Sequence, residues 1–172
     1  MAVNPKNAAT VILLRDKKPQ GFEIFFLKRH EKSSFMGGNF VYPGGRVDQD
    51  DGSLKICTLS KGITFEEAQK IFGGTFSPEE SFAHWIAGIR ELFEEAGVLL
   101  AYDQKGSLFR LRNQDEREKF LHYRESLQKG DMLIGLHQRL DLNGLIPVSF
   151  WHVILWDRKQ VMIRRRRRLE SG

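Results

Sequence analysis

The stretch Arg90-Glu91-Leu92-Phe93-Glu94-Glu95-Ala96-Gly97-Val98 decides how the chain is read. Glu91, Glu94 and Glu95 stand at i, i+3 and i+4, offsets that put side chains on one helix face within contact distance of each other. Like charges so placed destabilise an isolated helix by roughly 0.2–0.5 kcal/mol per pair, so the ridge makes sense with a cation among its members. A hard divalent ion fits, because it takes oxygen ligands, needs few protein carboxylates and keeps its other positions for water and substrate phosphates. Mg2+ is the expected guest, with Mn2+ as its substitute.

The flanks predict a helix with both ends marked. Ser77-Pro78-Glu79-Glu80 reads as an N-cap, a proline at the first helical position and a capping-box glutamate three residues after the cap. Phe82, Trp85, Ile86, Ile89, Leu92, Phe93 and Ala96 then recur at three- and four-residue steps, a stripe for burial with the carboxylates beside it. Gly97 is placed to take the left-handed conformation that stops the helix.

Upstream, residues 8–15 form a short apolar run expected to be a strand buried on both sides. A charged turn at 16–21 leads to a second strand over 22–28, and the two are expected to make a hairpin. Lys28, Arg29 and His30 close that strand, where they could meet an anion; the plainer reading of each is a solvated strand end. Phe40-Val41-Tyr42 is expected to be a strand entering the turn Pro43-Gly44-Gly45, whose glycines let backbone pass close to a phosphate or another segment. Alone, such a triplet is usually just a turn.

Composition narrows the class. The 172 residues suffice for one domain, and 41% hydrophobic with 28% charged residues is ordinary globular composition. The net charge of +5 matches the run Arg164 to Arg168, which leaves 22 basic and 22 acidic residues elsewhere. Nucleic acid is therefore not expected as a partner of the folded body. A single cysteine, Cys57, allows no internal disulfide, and no apolar run approaches the ~20 residues that cross a bilayer. The chain is expected to be cytoplasmic and off the membrane.

Gly44-Gly45-Arg46-Val47-Asp48, taken with Arg90 to Val98, resembles the signature of the Nudix hydrolases: Gly, five residues, Glu, seven residues, then Arg-Glu-aliphatic-x-Glu-Glu-x-Gly-aliphatic. The second half matches at every fixed position. In the first half Gly45 matches, but five residues on stands Asp51 where the family has Glu, and 38 residues rather than seven separate it from Arg90. A signature split by about 31 extra residues resembles the subgroup related to coenzyme A diphosphatases. The likeness covers roughly residues 8 to 102.

This resemblance implies an α/β fold, a Nudix-like α/β/α sandwich around a mixed sheet, with a helical insertion at about 52–76 inside a single domain at 1–156. It implies Mg2+-dependent hydrolysis of a diphosphate in a nucleoside diphosphate derivative, the candidate substrates being coenzyme A or its acyl esters, nucleotide sugars and dinucleotide polyphosphates. Glu91, Glu94 and Glu95 are the implied metal ligands. Glu91, Glu94 and Arg90 are the implied catalytic set, with Arg90 pairing with a carboxylate to hold the loop against the helix. Lys28, Arg29, Gly44, Gly45 and Arg46 are expected on the substrate side.

The insertion carries its own helix signal, Thr64 as cap and Glu67 completing the box, and is expected to lie against the acidic helix. Asp48, Asp50 and Asp51 before it read as either a further ligand or an acidic surface turn. Residues 98–102 are expected to be a strand, and 115–128 a charged helix with Phe120, Leu121, Tyr123 and Leu127 inward and Lys119 and Arg124 on a solvated face or at a phosphate. Past Pro147 the likeness to the family ends in this reading. A truncated or frameshifted distal part is expected, with a basic, unstructured tail at 157–172 and an open sheet edge that invites a homodimer. The competing reading is a Nudix-like domain that binds a nucleotide or a protein without turnover.

Overall fold

The computed structural model describes residues 6–16, 19, 21–33, 37–107, 109–130, 133, 135, 140, 142–145, 156–157 and 161–162. Three bent segments build its first half, and each pairs antiparallel with the other two. Strand β1 (Ala8–Thr10) pairs with β6 (Gly44–Arg46), setting Ala9 opposite Gly45. Strand β2 (Leu14–Asp16) pairs with β3 (Phe22–Ile24), and β4 (Leu27–Lys28) pairs with β5 (Phe40–Val41). Single bonds extend the ladders across the bends, from Val11 N–H to the Pro43 carbonyl at 2.8 Å and from Arg29 N–H to that of Asn39 at 2.9 Å.

The expected hairpin between residues 8–15 and 22–28 is present as β2–β3, while residues 8–10 turn away to the glycine turn instead. Among the described residues every ladder is antiparallel and two-stranded. The parallel pairings that a mixed sheet needs are not among them.

A 3-10 turn at Gln49–Gly52 leads into α1 (Leu54–Thr58) and α2 (Phe65–Ile71). The capping box of α2 is as read from sequence: Glu67 N–H donates to Thr64 Oγ1 and Thr64 N–H to Glu67 Oε2. Helix α3 (Pro78–Ala96) begins at Ser77 with its own reciprocal box to Glu80 and ends at Gly97, φ 65° and ψ 25°. Both ends fall where the local chemistry puts them.

The expected one-sided stripe on α3 is, however, wider in the structure. Every residue from 81 to 90 is buried, because α2 and the 3-10 turn cover one side while β1 and β6 cover another. Phe65 meets Phe82 edge-on at 4.7 Å, and Phe72 and Phe76 bracket His84. A helix whose middle is buried all round lies at the centre of its domain. The insertion therefore completes the core rather than decorating it.

Strand β7 (Ala101–Asp103) pairs with β8 (Leu142–Leu145), and α4 (Gln114–Gln128), capped by Asn113, packs on α3 through Phe120 against Phe93 at 4.8 Å. Phe120, Tyr123 and Leu127 are buried as expected, but Leu121 is 48% exposed, since it lies about 100° round the helix from Phe120. A short antiparallel pair, β9 (Trp156–Asp157) with β10 (Val161–Met162), lies at the far end of the described residues. The arginine run and residues 146–155, where a further strand is expected, lie outside the described residues. No described helix is long and apolar enough to cross a membrane.

Candidate active site

The glycine turn and the acidic end of α3 meet through backbone as much as through side chains. Gly44 N–H donates to Glu95 Oε2 at 2.9 Å. Gly44 has φ +153°, and a Cβ there would overlap the Ala9 carbonyl oxygen on β1. At Gly45 a Cβ would overlap the Glu91 carboxylate itself. Both glycines are thus needed so that strand, turn and helix can approach each other; the space their missing side chains leave is filled by protein.

Arg90 fastens this approach. Its Nε and Nη2 donate to Asp51 Oδ1 and Oδ2, each at 3.0 Å, a bidentate pair with side-chain exposures of 9% and 2%. Nη2 also donates to the Arg46 carbonyl at 2.8 Å, and Nη1 reaches Glu91 Oε1 at 3.1 Å and Glu94 Oε1 at 3.2 Å. Asp51 accepts a further bond from Asp48 N–H at 2.9 Å. Asp51 is therefore no acidic surface turn: it is a buried, fully bonded carboxylate, and Asp48 adds an ion pair to Arg90 at 3.4 Å. The sequence signal for it was its register, at the place where the family carries Glu.

Burial and crowding set the charges. Burial pushes the Glu91 carboxyl up to about 7, with Arg90 opposing and Glu94 and Glu95 adding to the rise. Burial also lifts Glu94, against Arg90, and lifts Asp51, against its two bonds to Arg90. For Arg90 burial works against the charge, but Asp51, Glu91 and Glu94 more than offset it and hold the guanidinium protonated.

The sequence-predicted residues fall into two groups. Glu91, Glu94, Glu95, Arg90, Gly44 and Gly45 come together as one cluster. Lys28 and Arg29 sit at the end of β4, opposite the strand that runs into the glycine turn, and Lys28 faces Glu31 at 3.8 Å. Arg46 gives its carbonyl to Arg90 and exposes its side chain. Lys119 pairs with Asp115 on the solvated face of α4, whereas Arg124 turns to the end of α3, a role that spacing alone did not reveal.

The side chains offered are carboxylates, the chemistry of a hard divalent ion, whose charge would offset the burial and the neighbouring negative charges that raise Glu91 and Glu94. As arranged, Glu91 and Glu94 share Arg90 Nη1 while Glu95 holds the Gly44 amide, and among the described residues no three such side chains converge on one point.

Comparisons with known proteins identify the family. The family model described as the NUDT19 Nudix domain matches residues 5–168, further than Pro147, where the signature-based likeness ended. The acyl-coenzyme A diphosphatase NUDT19 of Xenopus laevis is 29% identical over 133 residues, 63% of this chain and 34% of that protein. The protein of the same name from Gallus gallus is 31% identical over 123 residues, 55% of this chain and 32% of that protein. The chain thus matches about a third of the length of these curated relatives. A crystal structure of a NUDIX hydrolase from Alicyclobacillus acidocaldarius superposes with a TM-score of 0.52 at 23% identity, covering 74% of this chain and 54% of that one, which supports the α/β Nudix fold. With the split signature closed by Arg90 and Asp51, and a family model that matches nearly the whole length of this sequence, the chain belongs to the NUDT19 Nudix domain family of Nudix hydrolases.

Proposed function

We propose that this domain hydrolyses a diphosphate linkage in a nucleoside diphosphate derivative, with coenzyme A or an acyl-CoA as substrate and Mg2+ or Mn2+ as cofactor. The observation that carries the reading is the joining of the glycine turn to the acidic ridge: Gly44 N–H to Glu95, and Arg90 to Asp51 across 39 positions of sequence. The printed name of the relatives, acyl-coenzyme A diphosphatase, supports the substrate class.

Glu91, Glu94 and Glu95 would hold the divalent ion. When bound, it supplies positive charge to the phosphoryl oxygens and makes water a better nucleophile. One of these glutamates would take the proton lost by the attacking water. The new bond is water oxygen to phosphorus, the bond broken is phosphorus to the bridging oxygen, and a phosphorylated fragment leaves. Arg90, with its donors committed to protein, acts as a positioning residue, and Gly44 and Gly45 seat the turn. Lys28, Arg29 and Arg46 would meet the phosphates of the substrate.

The test is product analysis with coenzyme A and an acyl-CoA, with and without Mg2+. Cleavage to two phosphorylated fragments is expected for the parent, and its loss in Glu94→Gln. A Glu94→Gln protein that cleaves as fast as the parent would overturn the ligand assignment. Binding without cleavage by the parent would favour a domain that recognises the nucleotide without turning it over.

A further inference from the structure

Carboxylates sit badly at the C-terminal end of a helix, where the backbone dipoles leave net negative charge. Glu91, Glu94 and Glu95 nevertheless occupy the last two turns of α3, and its last turn contains no basic residue. The final carbonyls also lack partners inside the helix. Gly97 N–H answers one of them, at the Phe93 oxygen, at 2.9 Å.

Helix α4 supplies what is missing. Arg124 Nε donates to the Glu94 carbonyl at 2.9 Å and Nη2 donates to the Glu95 carbonyl at 2.7 Å, while Gln128 Nε2 donates to the Glu94 carbonyl at 2.7 Å. The fork lies against Gly97, where a Cβ would stand 3.4 Å from Arg124 Nη1. A planar guanidinium meets two successive carbonyls with donors held in a fixed fork, whereas an ammonium is a compact point charge with no such fixed geometry. Arg124 and Gln128 are one turn apart on α4, so both reach the same helix end.

We propose that Arg124, supported by Gln128, is a positioning residue of the metal site: it clamps the backbone of the two adjacent ligands Glu94 and Glu95 and sets a fixed positive charge behind them. The inference rests on the proposed reading of those glutamates as ligands. It makes α4, outside the family signature, part of the catalytic apparatus. Groups that hold metal ligands from behind change metal affinity by about tenfold to a hundredfold when removed.

The test is calorimetric titration with Mn2+ of the full chain and of Arg124→Met, Arg124→Lys and Gln128→Leu, with thermal melting of each in the absence of metal. Arg124→Met is expected to weaken Mn2+ binding roughly tenfold to a hundredfold, Arg124→Lys to recover part of that loss, and Gln128→Leu to weaken binding by less than Arg124→Met. Gln128 is exposed, so its variant decides the matter if Arg124→Met does not fold. Parent-like Mn2+ affinity in the folded variants, even with lowered melting temperatures, overturns the inference and leaves the ligand reading standing. A parent that takes up no Mn2+ overturns the ligand reading and this inference with it.

Discussion

Replacing Asp51 with alanine tests the tie on which the site's assembly depends. Asp51 is 1% exposed and accepts three hydrogen bonds, two from Arg90 at 3.0 Å and one from Asp48 N–H at 2.9 Å. Its removal strands a buried guanidinium, and breaking a buried pair from one side costs about 3–5 kcal/mol. Glu91 and Glu94 remain within 3.2 Å of Nη1 and share the charge, so the lower end, about 3 kcal/mol, is expected. That is a large part of the roughly 5–15 kcal/mol that stabilises a domain. The pair need not stabilise the fold by itself, since burial raises Asp51 and desolvation erodes the gain. The cost lies in the partner left behind. Arg90→Met alone should also destabilise, but Asp51→Ala added to it should cost little more, giving a coupling of about 2–3 kcal/mol in a double-mutant cycle. Urea unfolding followed by tryptophan fluorescence, with buried Trp85 as reporter, measures each corner. Additive effects, or an Asp51→Ala cost below about 1 kcal/mol, would refute the reasoning.

Two further expectations follow from the same cluster. Gly45→Ala should lower the melting temperature by several degrees, consistent with about 1–3 kcal/mol for a forced overlap, because Glu91 must move away. Gly44→Ala should cost more, because its Cβ meets the Ala9 backbone and φ is +153°. A melting curve in which the order is reversed would show that the turn, not the carboxylate, gives way. For Glu91, the folded value of about 7 lies above its ordinary 4.5, so the metal-free folded state holds the proton more tightly than the unfolded chain. Stability is then greatest below about 4.5 and falls as pH rises towards 7, by on the order of 3 kcal/mol from this group. Denaturant midpoints between these pH values should drop more steeply for the parent than for Glu91→Gln, in which Glu94 and Asp51, also raised, still contribute a fall; equal slopes in both would reject the assignment.

Much of the fold could be read locally. The Ser77 to Glu80 and Thr64 to Glu67 boxes, Pro78 and Gly97 mark helix ends by interactions within four residues, so sequence alone determined where α2 and α3 start and where α3 stops. The acidic ridge was equally legible, since helical spacing is local geometry. The likeness of Arg90 to Val98 to a known signature then placed the family.

Other features depend on chain segments meeting from far away, and those the tertiary structure decided. Asp51 has the composition of a surface turn until Arg90, 39 residues on, is brought against it. The stripe on α3 became a stretch buried on every side, residues 81–90, only because the insertion packed on its outer side. Arg124 is one cation on a charged helix until α4 docks and turns it onto the Glu94 and Glu95 carbonyls. Spacing along the chain encodes faces and caps, which are short-range; which buried charge meets which carbonyl is set by packing between elements.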